Sequence, residues 1–154
     1  MNLTWSRNEL TSQKLGTFCE YYAKMALSSY GLDIYTSEVD DHGIDFVAEG
    51  KSNFLKFQVK SIRTATSQYV FMRKEHFDIE DKNLFLLLVM LTDGQHPAIY
   101  LIPASAWQQE SKVFVYHAYE GKKSKPEYGV NASGKHMAEL EAYKLENMLS
   151  VLNG

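Results

Sequence analysis

The stretch Gly43-Ile44-Asp45-Phe46-Val47-Ala48-Glu49-Gly50-Lys51-Ser52-Asn53-Phe54-Leu55-Lys56-Phe57-Gln58-Val59-Lys60-Ser61 decides how this chain folds. Two alternating runs flank Gly50-Lys51-Ser52-Asn53, a four-residue hairpin turn. The expected strands cover 44–49 and 54–62. With that turn, Glu49 faces Phe54, Val47 faces Lys56 and Asp45 faces Gln58. Facing residues share one side of a sheet, with Cβ atoms about 4.5–5.5 Å apart. Lys60 follows Gln58 by two and projects from the same side. Ile44, Phe46, Leu55, Phe57 and Val59 form the opposite, apolar side. A one-residue slip would send every side chain to the wrong face, so the polar strip depends on this register.

Working outward, an amphipathic helix precedes the hairpin and ends before Gly31. Ser6-Arg7-Asn8-Glu9 fits a capping box, and Thr11 or Ser12 is an alternative start. At about 100° per residue, Leu15, Phe18, Cys19, Tyr22, Met25 and Ala26 make an apolar stripe, widened by Gly16, Ala23 and Leu27. The helix is expected to be mostly buried, with Glu20 at the edge of the apolar arc. Further strands are expected at 34–39, 68–73, 83–92, 98–102 and 112–117. The 83–92 run reads as a central strand, and 103–107 as a short helical turn. Residues 121–134 read as loop, and 136–152 as a second amphipathic helix carrying Met137, Leu140, Met148 and Leu152 on one side. This order predicts a single α/β (α+β) domain over 1–154, a mixed sheet flanked by helices.

Composition narrows the function classes. The chain has 154 residues, 45% of them apolar and 23% charged, which excludes a disordered or low-complexity chain. The net charge is −3, so bulk charge does not mark a nucleic-acid binder. That average hides two blocks. Gly31 to Gly50 holds six acids and no Lys or Arg, whereas Lys51 to Lys74 holds six bases and no acid. The hairpin sits at the boundary. The single cysteine, Cys19, can form no internal disulfide, and the N-terminus shows no basic-then-apolar leader, so a cytoplasmic location is expected. The longest apolar run, 84–91, is far short of the ~20 residues that span a bilayer, so no membrane partner is expected.

Asp45, Gln58 and Lys60 could be a merely solvated strip. Two features point to chemistry instead. Asp40-Asp41-His42-Gly43-Ile44-Asp45 concentrates acids where the chain joins its strand, and Glu20 is a charge on an otherwise apolar arc, costly to bury unpaired. A divalent cation held by Asp45, Glu20 and Gln58 would account for both. Hard oxygen donors on few positions suit Mg²⁺, which keeps waters and phosphate oxygens as its remaining ligands.

In order and spacing, Gly16 and Glu20, Asp40 to Asp45, and Gln58-Val59-Lys60-Ser61 resemble the PD-(D/E)XK nuclease superfamily, and more closely some small bacterial domains within it. Tyr100-Leu101-Ile102-Pro103 followed by Trp107 resembles their later strand and turn, so the likeness spans roughly 15–107. It implies a restriction-endonuclease-like fold and Mg²⁺- or Mn²⁺-dependent hydrolysis of phosphodiester bonds, usually in DNA. Asp45 would be the main metal ligand, Gln58 would hold the acidic ligand position, Glu20 would support, and the Val59 carbonyl would complete the shell. Lys60 would position or activate the attacking water. Many such nucleases dimerise to cut two strands, which leaves a homodimer open. Two departures stand out: Ile44 replaces the motif proline, and Gln58 replaces Asp or Glu. An amide oxygen still coordinates a hard cation but brings no charge. The alternative is therefore a catalytically inactive nuclease-fold module that binds nucleic acid or protein.

Weaker candidates carry two readings each. His42 is a turn residue, or with Asp40 an accessory group beside the phosphate. Tyr69, Phe71 and Arg73 alternate on one strand as a packed sheet face, or as a base-stacking surface. Lys122, Lys123 and Lys125 are a solvated loop, or a phosphate-binding flap. Arg63 and Arg73 are further candidates for nucleic-acid contact. Ser61 points away from Lys60 and suits core hydrogen bonding.

Overall fold

The structure is a computed structural model that describes residues 3–36, 38, 43–109 and 111–152. Among them, α1 (Ser12–Ser29) is followed by strands β1 (Asp33–Thr36), β2 (Phe46–Glu49), β3 (Phe54–Arg63), β4 (Tyr69–Arg73), β5 (Leu84–Leu91), β6 (Ala98–Pro103), β7 (Phe114–His117) and β8 (Glu127–Asn131), then by the short helices α2 (Met137–Glu141) and α3 (Leu149–Leu152). Five strands form a central mixed sheet in the order β1-β2-β3-β5-β6, in which β3 and β5 are parallel and the other pairs antiparallel. The expected α/β (α+β) architecture is therefore present: a mixed sheet with α1 on one face and α2 on the other.

β5 shows why this sheet is central. All eight of its residues are buried. Phe85, Leu87, Val89 and Leu91 join the α1 core, while Leu84, Leu86, Leu88 and Met90 join a second core beyond the sheet. A strand apolar on both faces must be covered on both. Full burial of each such side chain is worth about 1.5–3 kcal/mol. α1 covers the first face through Leu15, Cys19, Ala23 and Leu27. Cys19 lies beside the Ser61 hydroxyl, as expected for a core serine, and burial pushes its thiol up to about 11.

The second face is covered by a separate three-stranded sheet, β4-β8-β7, which the sequence did not reveal. β8 lies within the stretch expected to be loop, and β4 belongs to this sheet rather than the central one. Tyr128, Val130 and Phe114 face inward, with Leu140 of α2. Gly129 is required where it stands. The Tyr69 ring lies across one side of it, where a Cβ would overlap the ring, while its carbonyl accepts the Trp107 indole N–H at 2.9 Å.

Three other expectations are corrected. The helix expected over 136–152 is broken into α2, a 3-10 turn at Leu145–Asn147 and α3. The break serves the edge of β6, where the Leu101 N–H bonds the Tyr143 carbonyl and Tyr100 bridges to Lys144. Thr11, not Ser6, caps α1, its side chain accepting from the Lys14 N–H. Ser6 instead binds the Asp93 carboxylate together with the Trp5 N–H, tying the N-terminal segment to the turn after β5. The buried stripe of α1 is also narrower than expected, for Met25 is 60% exposed.

Phe57 and Met25 test this placement. Phe57→Ala should cost about 3–5 kcal/mol in urea denaturation, and Met25→Ala should stay within about 0.5 kcal/mol of wild type.

Candidate active site

The hairpin keeps the expected register from Phe46, opposite Phe57, to Glu49, opposite Phe54. At Asp45 the ladder changes. The Asp45 N–H bonds the Phe57 carbonyl at 2.9 Å, one residue short of that register. Its carboxylate accepts the Val59 N–H at 2.7 Å. The direction of β3 explains this. Lys56 and Thr64 donate their N–H groups to Asn83 and Leu91, on the β5 side. Residues of that parity bond β5, so Phe57 and Val59 turn their backbone groups toward β2. β2 begins only at Phe46, and beyond it the Val59 N–H meets the Asp45 side chain in place of a strand. A hydrogen bond to an ionised carboxylate is among the stronger ones, at about 1.5–3 kcal/mol.

Gln58 and Lys60 flank that point. Their side chains leave β3 on the face opposite Phe57 and Val59, toward the second core. Gln58 is 7% exposed, so it does not lie on a solvated strip. Its Oε1 is buried and has no hydrogen-bond partner among the described residues. Its Nε2 end packs beside Gly43 and His76. Gly43 has φ +75°, and a side chain there would crowd both neighbours, so the glycine sets the approach to Asp45. Lys60 is half-buried and makes no ion pair among the described residues.

Glu20 stands apart from this pair. It lies on α1, which covers the opposite face of the sheet, and pairs with Lys24 at 2.9 Å. The Lys24 Nζ is 5.7 Å from the centre of the Phe46 ring, so the pair overlies the start of β2 next to Asp45. Ile44, expected on the apolar side with Phe46, instead lines a cleft of about 240 Å³ with Lys56, His76, Asp81 and Leu84. Asp40 and His42 fall outside the described residues. No group of three His, Cys, Asp or Glu side chains able to hold a metal gathers among the described residues. The donors at this point are one carboxylate, one amide oxygen and the Val59 backbone.

His76, Lys56 and Asp81 were not legible as neighbours of this site. Lys56 and Asp81 form an ion pair in the cleft. Burial works against the Asp81 carboxylate, yet Lys56 and the Asn83 N–H hold it below the ordinary range. The Arg63 guanidinium donates to the Leu10 carbonyl at 2.9 Å and anchors the chain before α1. Arg73 lies on β4 of the second sheet, and the exposed Lys122 and Lys123 on the loop joining β7 to β8.

No family model matches the sequence, and no curated protein matches it. Solved structures do. The chain is similar to the bacterial homing endonuclease I-Ssp6803I with a TM-score of 0.58 and 15% identity, covering 92% of this chain and 91% of that one. It is also similar to Hjc, a Holliday junction resolvase from the archaeal hyperthermophile Archaeoglobus fulgidus, with a TM-score of 0.51 and 12% identity, covering 90% and 97%. At such identities the likeness establishes a shared fold. No helix among the described residues is long and apolar enough to cross a membrane.

The orphaned amide yields a stability test. An unsatisfied buried polar atom costs about 1–3 kcal/mol. Gln58→Met, which keeps the volume and removes that atom, should hold or raise the urea midpoint; a loss above about 1.5 kcal/mol would show that Gln58 is satisfied in solution.

Proposed function

We propose that this chain is a divalent-metal-dependent endonuclease that hydrolyses phosphodiester bonds in DNA. The observation that carries the reading is the presence of two hard oxygen donors at adjacent residues of β3. One is the Asp45 carboxylate, fixed by the Val59 N–H, and the other is the buried, unpartnered Oε1 of Gln58. A desolvated oxygen with no donor fits a cation better than it fits a packed core. The fold shared with a homing endonuclease and a junction resolvase supports the same reading.

Asp45, Gln58 and the Val59 carbonyl would hold Mg²⁺ or Mn²⁺. The ion would supply a water of lowered pKa and offset charge on the pentacovalent phosphorus. Lys60, which has no carboxylate partner among the described residues, would orient the attacking water and stabilise the developing phosphoryl charge. Glu20 would support the site from the open edge beside Phe46, on leaving Lys24. Gln58 contributes no charge, so affinity for the ion would be weaker than in a two-carboxylate site. The same feature favours the second reading, a binding module without catalysis.

Supercoiled plasmid nicking with Mg²⁺ or Mn²⁺ tests the proposal. Asp45→Ala and Lys60→Ala should each lower the nicking rate by about 10²-fold or more, and Glu20→Gln by less. Nicking that survives both of the first two substitutions would overturn the assignment. Calorimetric Mn²⁺ binding that Asp45→Ala abolishes, with no cleavage by wild type, would select the binding module.

A further inference from the structure

The second sheet has an outer face that the catalytic reading does not use. From β4 it presents Tyr69, Phe71 and Arg73, and from β7 His117; Tyr119 follows β7. The sequence allowed this to be a packed face. The structure turns it outward: Phe71 is 37% exposed, and His117 is exposed. The rings form a file. Phe71 and Tyr69 stack at 6.4 Å between centroids, Tyr69 and His117 lie 6.0 Å apart, and His117 and Tyr119 lie 5.5 Å apart. The Arg73 guanidinium sits 5.0 Å over the Phe71 ring.

A buried carboxylate fixes the file from below. Glu127 is 4% exposed and accepts the Tyr69 hydroxyl at 2.6 Å. Tyr119 lies near the same carboxylate, and Arg73 approaches it at 4.0 Å. Tyr119 is held at φ +51°, a conformation that costs a non-glycine residue about 1–2 kcal/mol. Tyr69 lies across Gly129, where no side chain intervenes. One ring surface is therefore spent on backbone, and the Tyr69 side chain as a whole is half-buried. Rings held in this way lose little further freedom when a flat ligand stacks on them.

Charge around the face selects the ligand. The loop between β7 and β8 carries Lys122, Lys123 and Lys125 against one acid, Glu120. Lys122 and Lys123 make no ion pair among the described residues. The Arg73 guanidinium donates to the Lys125 carbonyl, which joins this loop to the ring file. A cleft of about 450 Å³ lined by Lys74, Glu75, Lys125 and Pro126 shares Lys74 and Glu75 with the 240 Å³ cleft that Ile44 and His76 line. Lys74 and Lys125 thus lie on the wall between the Lys122 loop and the cleft that Ile44 lines, Lys125 being paired with Glu75.

We infer that the outer face of the β4-β8-β7 sheet binds an unpaired segment of DNA, whose bases stack on Phe71 and Tyr69 and whose phosphates lie against the loop holding Lys122 and Lys123. The inference rests on the nuclease reading and deepens it, since it makes the substrate a DNA with unpaired bases next to the cut. Neutral stacking surfaces with adjacent cations are the means by which proteins hold single strands without reading sequence.

Fluorescence anisotropy with a labelled oligo-dT strand, in EDTA, tests it. Wild type should bind oligo-dT more tightly than an abasic strand of equal length, a duplex or oligo-U. Phe71→Ala should weaken oligo-dT binding by about 5- to 150-fold, the range of one lost base–aromatic stack. Phe71→Trp should stay within about threefold, and this variant separates stacking from damage to the fold. The Lys122→Ala/Lys123→Ala double variant should flatten the slope of log K against log salt by about 1.4. An unchanged affinity in Phe71→Ala, an unchanged salt slope, or equal or tighter binding of the abasic strand, the duplex or oligo-U would overturn it. Asp45→Ala should bind oligo-dT as wild type does. Binding that depends on Phe71, alongside nicking that ignores Asp45, would remove only the nuclease reading.

Discussion

β3 has ten residues and its neighbour β2 has four, so part of one edge of the central strand runs on with no strand beside it among the described residues. A backbone N–H in that position needs another acceptor, for leaving it unpaired in a half-buried place costs about 1–3 kcal/mol. The Asp45 carboxylate is that acceptor for Val59. The requirement fixes the acid to within one residue of Gln58 and Lys60, and it does so through backbone geometry, before any ligand is considered. The approach through Gly43 follows from it, because the chain must turn sharply to deliver a side chain into the place of a strand.

The other half of the arrangement comes from β5. A strand with no polar residue cannot leave either face wet, so the chain must build a cover for each. α1 supplies one cover and the β4-β8-β7 sheet the other. That second cover removes water from Gln58 and turns a buried amide into an unsatisfied one. The same sheet, having an inner face committed to Tyr128 and Val130, must show its alternate residues to the outside. The dry interior of the candidate site and the aromatic outer face are thus two results of a single layer.

What could be read in the sequence was what local spacing determines. The hairpin register followed from one turn and held from Phe46 to Glu49. β5 and β6 announced themselves as apolar runs. β8 did not, because Glu127, Tyr128, Gly129 and Val130 become a strand only through partners 10–60 residues earlier, on β7 and β4. The C-terminal helix looked continuous because its periodicity is real, but the Tyr143 carbonyl answers β6 instead of its own turn. Within the site, Asp45, Gln58 and Lys60 were legible as neighbours. The slip of the ladder at Asp45 was not, since it depends on where β2 stops. Glu20 was legible as a charge at the rim of α1, but its partner Lys24 draws it along the helix and not through the sheet.

Cys19 has a practical consequence for anyone handling this chain. It is the sole thiol, it is fully enclosed beneath α1, and its burial keeps it in the unreactive protonated form at neutral pH. The native chain therefore already serves as a silent background for chemical labelling. A cysteine placed on the Lys122 loop or beside Phe71 would be the one group that takes up a dye or a cross-linker quickly, with no prior replacement of a native residue and no cavity left in the core.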